Sequence, residues 1–274
     1  RLLAASLHSM ATNPASKWFV VRVLDKAINE LESVKKWRSH AEDALYEEMY
    51  APGTGIIPAL HEFYLGLGAF GTGIIFIGET TQGGLLFQAR ALSESFISEN
   101  SDGVIDTLFR YWRWSVRQIC EMPDWKPSPK VLELKEKGKL DEMIGLCHAV
   151  YPREYTGKKG RQNMPFASCY FEIETCHELE QSGFPEFPFV VARWEKAAGE
   201  TYGRSAGMEA LPAVKMLQSI EQTVIQQLQK MVNPPRYLRD DGVMGQVRTI
   251  PGAVNYWRGD PNTGIMLEPT SDKM

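Results

Sequence analysis

The sequence has few cysteines and no pattern that would give them a shared task. Its 274 residues include four cysteines, whose spacing matches neither a disulfide framework nor a zinc site. The default expectation is therefore a reduced, intracellular setting. No apolar run approaches the roughly 20 residues that a membrane-spanning helix needs, so we expect no contact with a membrane. The cysteines are Cys120, Cys147, Cys169 and Cys176.

Motifs that indicate nucleotide chemistry or hydrolysis are also missing. The absence of G-x-x-x-x-G-K-[ST] argues against a P-loop ATPase, and there is no G-x-S-x-G nucleophile motif. Residues 66–71 read GLGAFG, but a predicted helix precedes them and a predicted strand follows, the reverse of the order in dinucleotide-binding folds. We interpret these glycines as a helix stop and a tight turn.

No cofactor and no metal site is therefore predicted, and the chain is not expected to be an enzyme. The open alternative is a soluble enzyme whose site is assembled from scattered residues such as His148, Glu174 and His177.

The charge balance limits the kind of partner. The net charge is −4, with 23% charged and 43% hydrophobic residues, as in a globular chain. A protein that holds DNA tightly through its phosphates normally has a basic excess. Any contact with nucleic acid should therefore be local or transient.

A long amphipathic helix is predicted from Gly207 to Met231, which would span roughly 37 Å. Apolar residues recur every three or four positions and form one stripe. The opposite face is rich in glutamine rather than in Glu–Lys pairs. Such an amide face can pack on a neighbouring copy, or line a passage without gripping what moves through it. The alternative is an ordinary core helix with a polar outer side. The glutamines are Gln218, Gln222, Gln226, Gln227 and Gln229.

The rest of the chain predicts a mixed α+β fold. Helices are predicted within residues 1–49, from Ile57 to Leu67 and from Val104 to Cys120; strands are predicted at 74–77, 85–87, 144–151, 166–174 and 187–194, and loop after 233.

Two basic groups are candidate contact sites. Arg110, Arg113 and Arg117 would share one flank of the predicted helix and could face another subunit or a phosphate, since guanidinium groups pair bidentately with such anions. A solvated cationic face is the alternative. Lys158, Lys159 and Arg161 form a basic loop that could contact DNA or a partner protein, or could simply be exposed.

Several short motifs occur in order along the chain. They are Thr12–Ala15 with Trp18–Phe19, Phe70–Gly73, Arg110–Gln118, His148–Arg153, Arg193–Trp194, Gly199–Arg204 with Ala210–Pro212, Asn233–Pro235, and Pro251–Gly252. Each motif is weak alone, whereas the ordered set from residue 12 to 252 is specific. Together they resemble the head-to-tail connector (portal) proteins of short-tailed double-stranded DNA phages.

This resemblance implies a helix-rich subunit of a ring, a dodecamer by similarity to the family, through which DNA is packaged and ejected. By similarity, residues 1–103 would be a wing-like region, 104–122 a first stem helix, 123–190 a small β-containing clip, 191–232 a second stem helix, and 233–274 a tunnel loop with the start of a return to wing or crown. Arg236, Arg239 and Arg248 would lie in the channel loop, where Gly242 and Gly245 give conformational freedom.

The resemblance also implies partners and a location. The clip would dock the terminase motor and later the tail adaptor proteins, and the ring would contact capsid and scaffold. Double-stranded DNA would pass transiently and without sequence specificity. The assembled ring would sit at a vertex of the virion after assembly in the host cytoplasm. A virion structural protein that is not the channel remains a second alternative.

Overall fold

The computed structural model describes residues 1–80, 83–154, 160–234, 236–239, 248 and 250–257, with the backbone alone for 236–239 and 255–257. The chain divides into two units, residues 1–209 and residues 210–274. Each unit is described by itself.

Helices begin the first unit. They are α1 (Leu2–Ala11), α2 (Lys26–Asn29), α3 (Glu32–Met49) and α4 (Ile56–Phe70). Helix α4 ends at Gly71, whose φ of 77° is the left-handed conformation that glycine adopts without strain. The interpretation as a helix stop is therefore confirmed for Gly71, whereas Gly66 and Gly68, which were included in it, lie within α4. One core cluster joins α1 and α4 through Ala4, Leu60 and Phe63 to Ile75 of the first strand.

Two antiparallel sheets follow. The strands are β1 (Thr72–Glu79), β2 (Leu85–Ala89), β3 (Ser95–Glu99), β4 (Ile105–Ser115), β5 (Met143–Pro152), β6 (Phe166–Glu172), β7 (Glu178–Phe184) and β8 (Phe189–Arg193). The three-stranded sheet has the order β2-β1-β8, and the five-stranded sheet has the order β3-β4-β5-β6-β7. The predicted pairing of residues 74–77 with 85–87 is confirmed.

Two short helices connect β4 to β5. They are α5 (Val116–Glu121) and α6 (Pro129–Glu136), and they pack on the five-stranded sheet through Ile119 and Val131. Both have serine N-caps, at Ser115 and Ser128, whose side chains accept hydrogen bonds from the first-turn backbone.

The predicted first stem helix at 104–122 is wrong over most of its length. Residues 105–115 form β4, the longest strand of the five-stranded sheet, and only residues 116–121 are helical. Leu108 and Trp112 alternate with the exposed Phe109 and Tyr111, as the two faces of a strand require.

The described part of the second unit consists largely of helix α7 (Ala206–Val232), which begins in the first unit. The long helix predicted from Gly207 to Met231 is confirmed. After α7, β9 (Arg236–Arg239) and β10 (Val254–Trp257) pair in parallel, in a region that was predicted to be mostly loop. The mixed α+β class is confirmed.

Candidate functional site: the base and surface of helix α7

Two glycines in close backbone contact lie just before α7. A Cβ atom added to Gly203 would lie 2.2 Å from the carbonyl oxygen of Gly71. The Gly203 N–H donates to Thr72 Oγ1 at 2.9 Å, and the Trp194 N–H donates to the Gly71 carbonyl at 2.8 Å. We call residues 71–72 together with 203–205 the helix base. It joins the end of α4 and the start of β1 to the start of α7.

Ser205 connects the base to the first turn of α7. Its hydroxyl donates to the Ala69 carbonyl at 2.8 Å and accepts from the Met208 N–H at 2.9 Å. The residue is 1% exposed. It therefore acts as an N-cap for α7 while bonding to the last turn of α4.

The segment before the base is tied to strand β3. Tyr202 Oη accepts a hydrogen bond from the Ile97 N–H at 3.1 Å. Glu99 forms ion pairs with Arg193 and with Lys196, and Arg193 also donates to the Thr201 carbonyl at 3.3 Å. These contacts hold the residues that precede α7 in one position against both sheets.

Beyond its base, α7 has no buried residue along its 27 positions. Its apolar side chains are between 43% and 61% exposed from Leu211 to Leu228, for example Val214 at 43% and Leu217 at 56%. An apolar stripe of this length on a soluble chain normally packs against something. The alternative of an ordinary core helix is wrong for this structure.

The three arginines predicted to share a helix flank do not do so. Arg110 and Arg113 lie on β4 and point to opposite faces, because strand residues three apart alternate, and Arg117 lies on α5. Arg110 pairs with Glu94 at 3.1 Å, and Arg117 pairs with Asp141 at 3.5 Å. Arg113 forms no ion pair in the described part of the chain, and its pKa is raised chiefly by Tyr111 and also by Glu174.

A row of polar side chains crosses the inner face of the five-stranded sheet. Directly paired positions on successive strands carry Ser95, Arg110, His148, Tyr170 and Glu180. The His148 ring stacks on Tyr170 with a centroid distance of 3.9 Å, and Nε2 lies 2.9 Å from Ser168 Oγ. Burial, with added repulsion from Arg90 and Arg110, lowers the pKa of His148 to about 3.

The same buried surroundings shift the pKa of two neighbouring side chains, Tyr170 and Arg90. Burial raises the pKa of Tyr170 to about 12. Burial, with the nearby Arg110, lowers the pKa of Arg90 to about 10. The row is therefore neutral at His148 and cationic at Arg110, next to Trp112, whose ring lies 4.5 Å from the Arg110 guanidinium carbon. It specifies the packing of the sheet rather than a reactive group.

The other predicted contact residues fall partly outside the described chain. Lys158 and Lys159 are outside the described residues. Arg161 begins a short 3₁₀ turn, and its carbonyl accepts from Arg153 Nη2 at 2.9 Å. For Arg236 and Arg239 only the backbone, in β9, is described, and Arg248 is exposed.

The three residues considered for an enzyme site make no contacts with one another among the described residues. His148 is buried against Tyr170, Glu174 pairs with Lys130, and His177 Nε2 lies 2.9 Å from the Lys126 carbonyl oxygen. Within the described residues no three metal-ligating side chains cluster. No helix among them is both long and apolar enough to span a bilayer.

The contact between Gly71 and Gly203 is the part of the site that the sequence did not indicate. Both glycines belong to the motifs that carry the resemblance, yet 131 residues separate Thr72 from Gly203 in the hydrogen bond between them. The sequence feature that could have indicated this contact is the position of two short glycine motifs, one at the end of the predicted helix α4 and the other before the start of α7.

Two portal proteins are similar over nearly the whole chain. A probable portal protein of Bordetella phage BPP-1 is 30% identical over 271 residues, which is 97% of this chain and 48% of that protein. The portal protein of Salmonella phage epsilon15 is 29% identical over 262 residues, 93% of this chain and 47% of that protein. The chain thus spans about half the length of the curated relatives it matches.

Both relatives are phage portal proteins, so the chain falls in a class of phage structural proteins. The family described as bacteriophage head to tail connecting protein matches residues 1–272. The chain belongs to this family.

Proposed function

We propose that the chain is part of a portal subunit, which assembles with copies of itself into a ring that conducts double-stranded DNA during packaging and ejection. The observation that carries the proposal is the uncovered apolar stripe of α7, with a glutamine-rich face opposite. A neighbouring copy covers the stripe, and the amide face lies toward the channel. A lining without a strong positive charge lets DNA slide, because few phosphates are neutralised and held.

The ring closes through two different complementary faces on each copy, because a rotational head-to-tail arrangement is heterologous. The ring is proposed to be a dodecamer at one capsid vertex, in contact with capsid and scaffold, and assembled in the host cytoplasm. We also propose that the chain contains wing, clip, second stem helix and tunnel loop regions. Helix α7 is the second stem helix, and Arg236, Arg239 and Arg248 lie in the channel loop.

Light scattering and axial images of the natural-length protein test the ring directly. A closed ring with a central hole supports the proposal. A strict monomer at all concentrations, or a ring-free protein with catalytic turnover, would overturn it in favour of a non-channel virion protein or an enzyme.

Polar substitutions in the apolar stripe are expected to prevent assembly. Leu217→Ser with Val224→Ser removes two large apolar side chains, each worth about 1.5–3 kcal/mol when buried, so the concentration for half-assembly should rise at least a hundredfold. Sedimentation velocity across a dilution series measures this change.

The matched control is Gln222→Ser with Gln226→Ser on the opposite face, which should assemble as the unmodified protein does. If both double variants assemble equally well, the stripe is not covered by a neighbouring copy.

Neutralising the basic loop is expected to reduce docking without affecting the ring. Lys158→Gln, Lys159→Gln and Arg161→Gln remove charge that would pair with acidic groups on the terminase motor or a tail adaptor. Pull-down of purified motor and tail proteins by preassembled rings measures docking, and ring images give the control. Undiminished docking would show that the loop is only a solvated turn.

A further inference from the structure

The outer face of the five-stranded sheet is uncovered and aromatic. Phe96 pairs directly with Phe109, and Tyr111, Cys147 and Phe171 form the next row across three strands. Phe96 is 58% exposed, Phe109 40% and Tyr111 39%. An antiparallel sheet usually turns a polar face to water. We call this surface, formed by Phe96, Phe109, Tyr111, Met143 and Tyr151, the aromatic sheet face.

One cation stands on this face among the described residues of β4 and β5. Arg113 shares the outward side with Phe109 and Tyr111, pairs in register with Gly145, and is exposed. It forms no ion pair within the described chain, although Glu174 lies near enough to help raise the pKa of Arg113, whereas Arg110 pairs directly with Glu94 on the inner face. A guanidinium surrounded by aromatic rings is suited to an interface that supplies a carboxylate.

The apolar stripe of α7 contains a charge of the opposite sign, a single carboxylate among apolar residues. At 100° per residue, Glu221 falls inside the apolar arc that runs from Ile220 to Val214 and is centred on Leu217. The other charged residues of α7, Glu209, Lys215 and Lys230, lie outside this arc. Glu221 is exposed and has no ion pair in the described part of the chain. Covering the stripe would bury this carboxylate, which is costly unless a cation accompanies it.

The two surfaces also match in length. The stripe from Leu211 to Met231 spans roughly 30 Å, and the eleven residues of β4 span roughly 36 Å. Both surfaces are apolar at the centre, and Arg113 on the sheet and Glu221 on the helix have opposite charges.

We propose that the aromatic sheet face of one copy receives the apolar stripe of α7 from the next copy, with Arg113 paired to Glu221 across the contact. The inference rests on the proposed ring and specifies its two complementary faces. A second copy of the chain is the occupant, because both surfaces, with their length and charge complementarity, are present on the same polypeptide.

Charge reversal tests this pairing in the natural-length protein. Arg113→Glu would place a carboxylate against Glu221, and Glu221→Arg would place a guanidinium against Arg113. Each variant alone is expected to raise the concentration for half-assembly at least tenfold, as measured by sedimentation velocity. A mixture of the two variants should assemble again, because each copy then meets an opposite charge on both neighbours. Lys137→Glu and Lys215→Glu, which lie away from both surfaces, serve as controls.

The outcomes separate this inference from the proposed function. If the unmodified protein forms no ring, the proposed function fails. If rings form and both reversed variants assemble normally, the pairing is wrong while the ring stands. Rescue only by placing both reversals in the same polypeptide, and not by mixing, would show contact within one chain and would overturn the inference.

As a further check, Leu217→Cys should form an inter-subunit disulfide with Cys147 or Cys169 on mild oxidation. Absence of this disulfide in assembled rings would contradict the proposed contact.

Discussion

Replacing Gly203 with alanine is expected to destabilise the first unit by about 3 kcal/mol, the upper end of the usual cost of overpacking. The new Cβ would lie 2.2 Å from the Gly71 carbonyl oxygen, which is backbone and cannot rotate away. Separation of the two segments would weaken the hydrogen bond from the Gly203 N–H to Thr72 and the one from Trp194 to Gly71. Urea unfolding, at a dilution where any oligomer has dissociated, measures the loss.

The control for this substitution is Gly66→Ala in the same helix that ends at Gly71. A Cβ at Gly66 would meet the Thr72 carbonyl at 3.5 Å, an ordinary contact, and alanine favours a helix over glycine by about 1 kcal/mol. Gly66→Ala should therefore be neutral or stabilising. Equal tolerance of alanine at both positions would show that the two glycines are not in close contact.

The sequence predicted α7, α4 and five of the ten strands in the described part of the chain (β1, β2, β5, β6 and β8), because their hydrophobic patterns continue over many residues and end at glycine or proline. It did not indicate β3, β7, β9 or β10. It failed at β4 for a physical reason. An arginine occupies the inward position 110, where alternation calls for an apolar residue, and its charge is compensated by Glu94 and Trp112. Strand β4 also runs directly into helix α5 at Ser115, with no glycine or proline between them. The hydrophobic pattern of the strand therefore continues into that of the helix, and the combined spacing resembles that of one helix.

Local signals for the correct boundary were nevertheless present. Ser115 and Gln118 form a capping box, with each side chain bonding to the other's backbone N–H, and this pattern indicates a helix that starts at 116. Ser128 followed by Pro129 marks the start of α6 in the same way. What no local pattern could provide is the helix base, since the residues that form it come from distant parts of the chain.

His148 is expected to make the first unit lose stability as the pH falls below neutrality. Its pKa is about 3 in the folded chain and about 6.5 when unfolded. Above pH 6.5 the ring is neutral in both states and contributes nothing to the pH dependence. Between pH 6.5 and about 3 the unfolded state binds a proton that the folded state does not, which favours unfolding by about 1.4 kcal/mol per pH unit.

The measurement is the free energy of unfolding in urea at pH 7.5 and at pH 5, where this single group should account for a loss of about 2 kcal/mol. His148→Gln keeps an amide near Ser168 Oγ and cannot titrate, so its stability should fall by about 2 kcal/mol less over the same interval, whatever its stability at pH 7.5. His40→Gln, which replaces an exposed histidine on α3, is the matched substitution control. Identical pH profiles for His148→Gln and the unmodified chain would mean that His148 is protonated in the folded state, and hence that the polar row between Arg110 and Tyr170 is open to water.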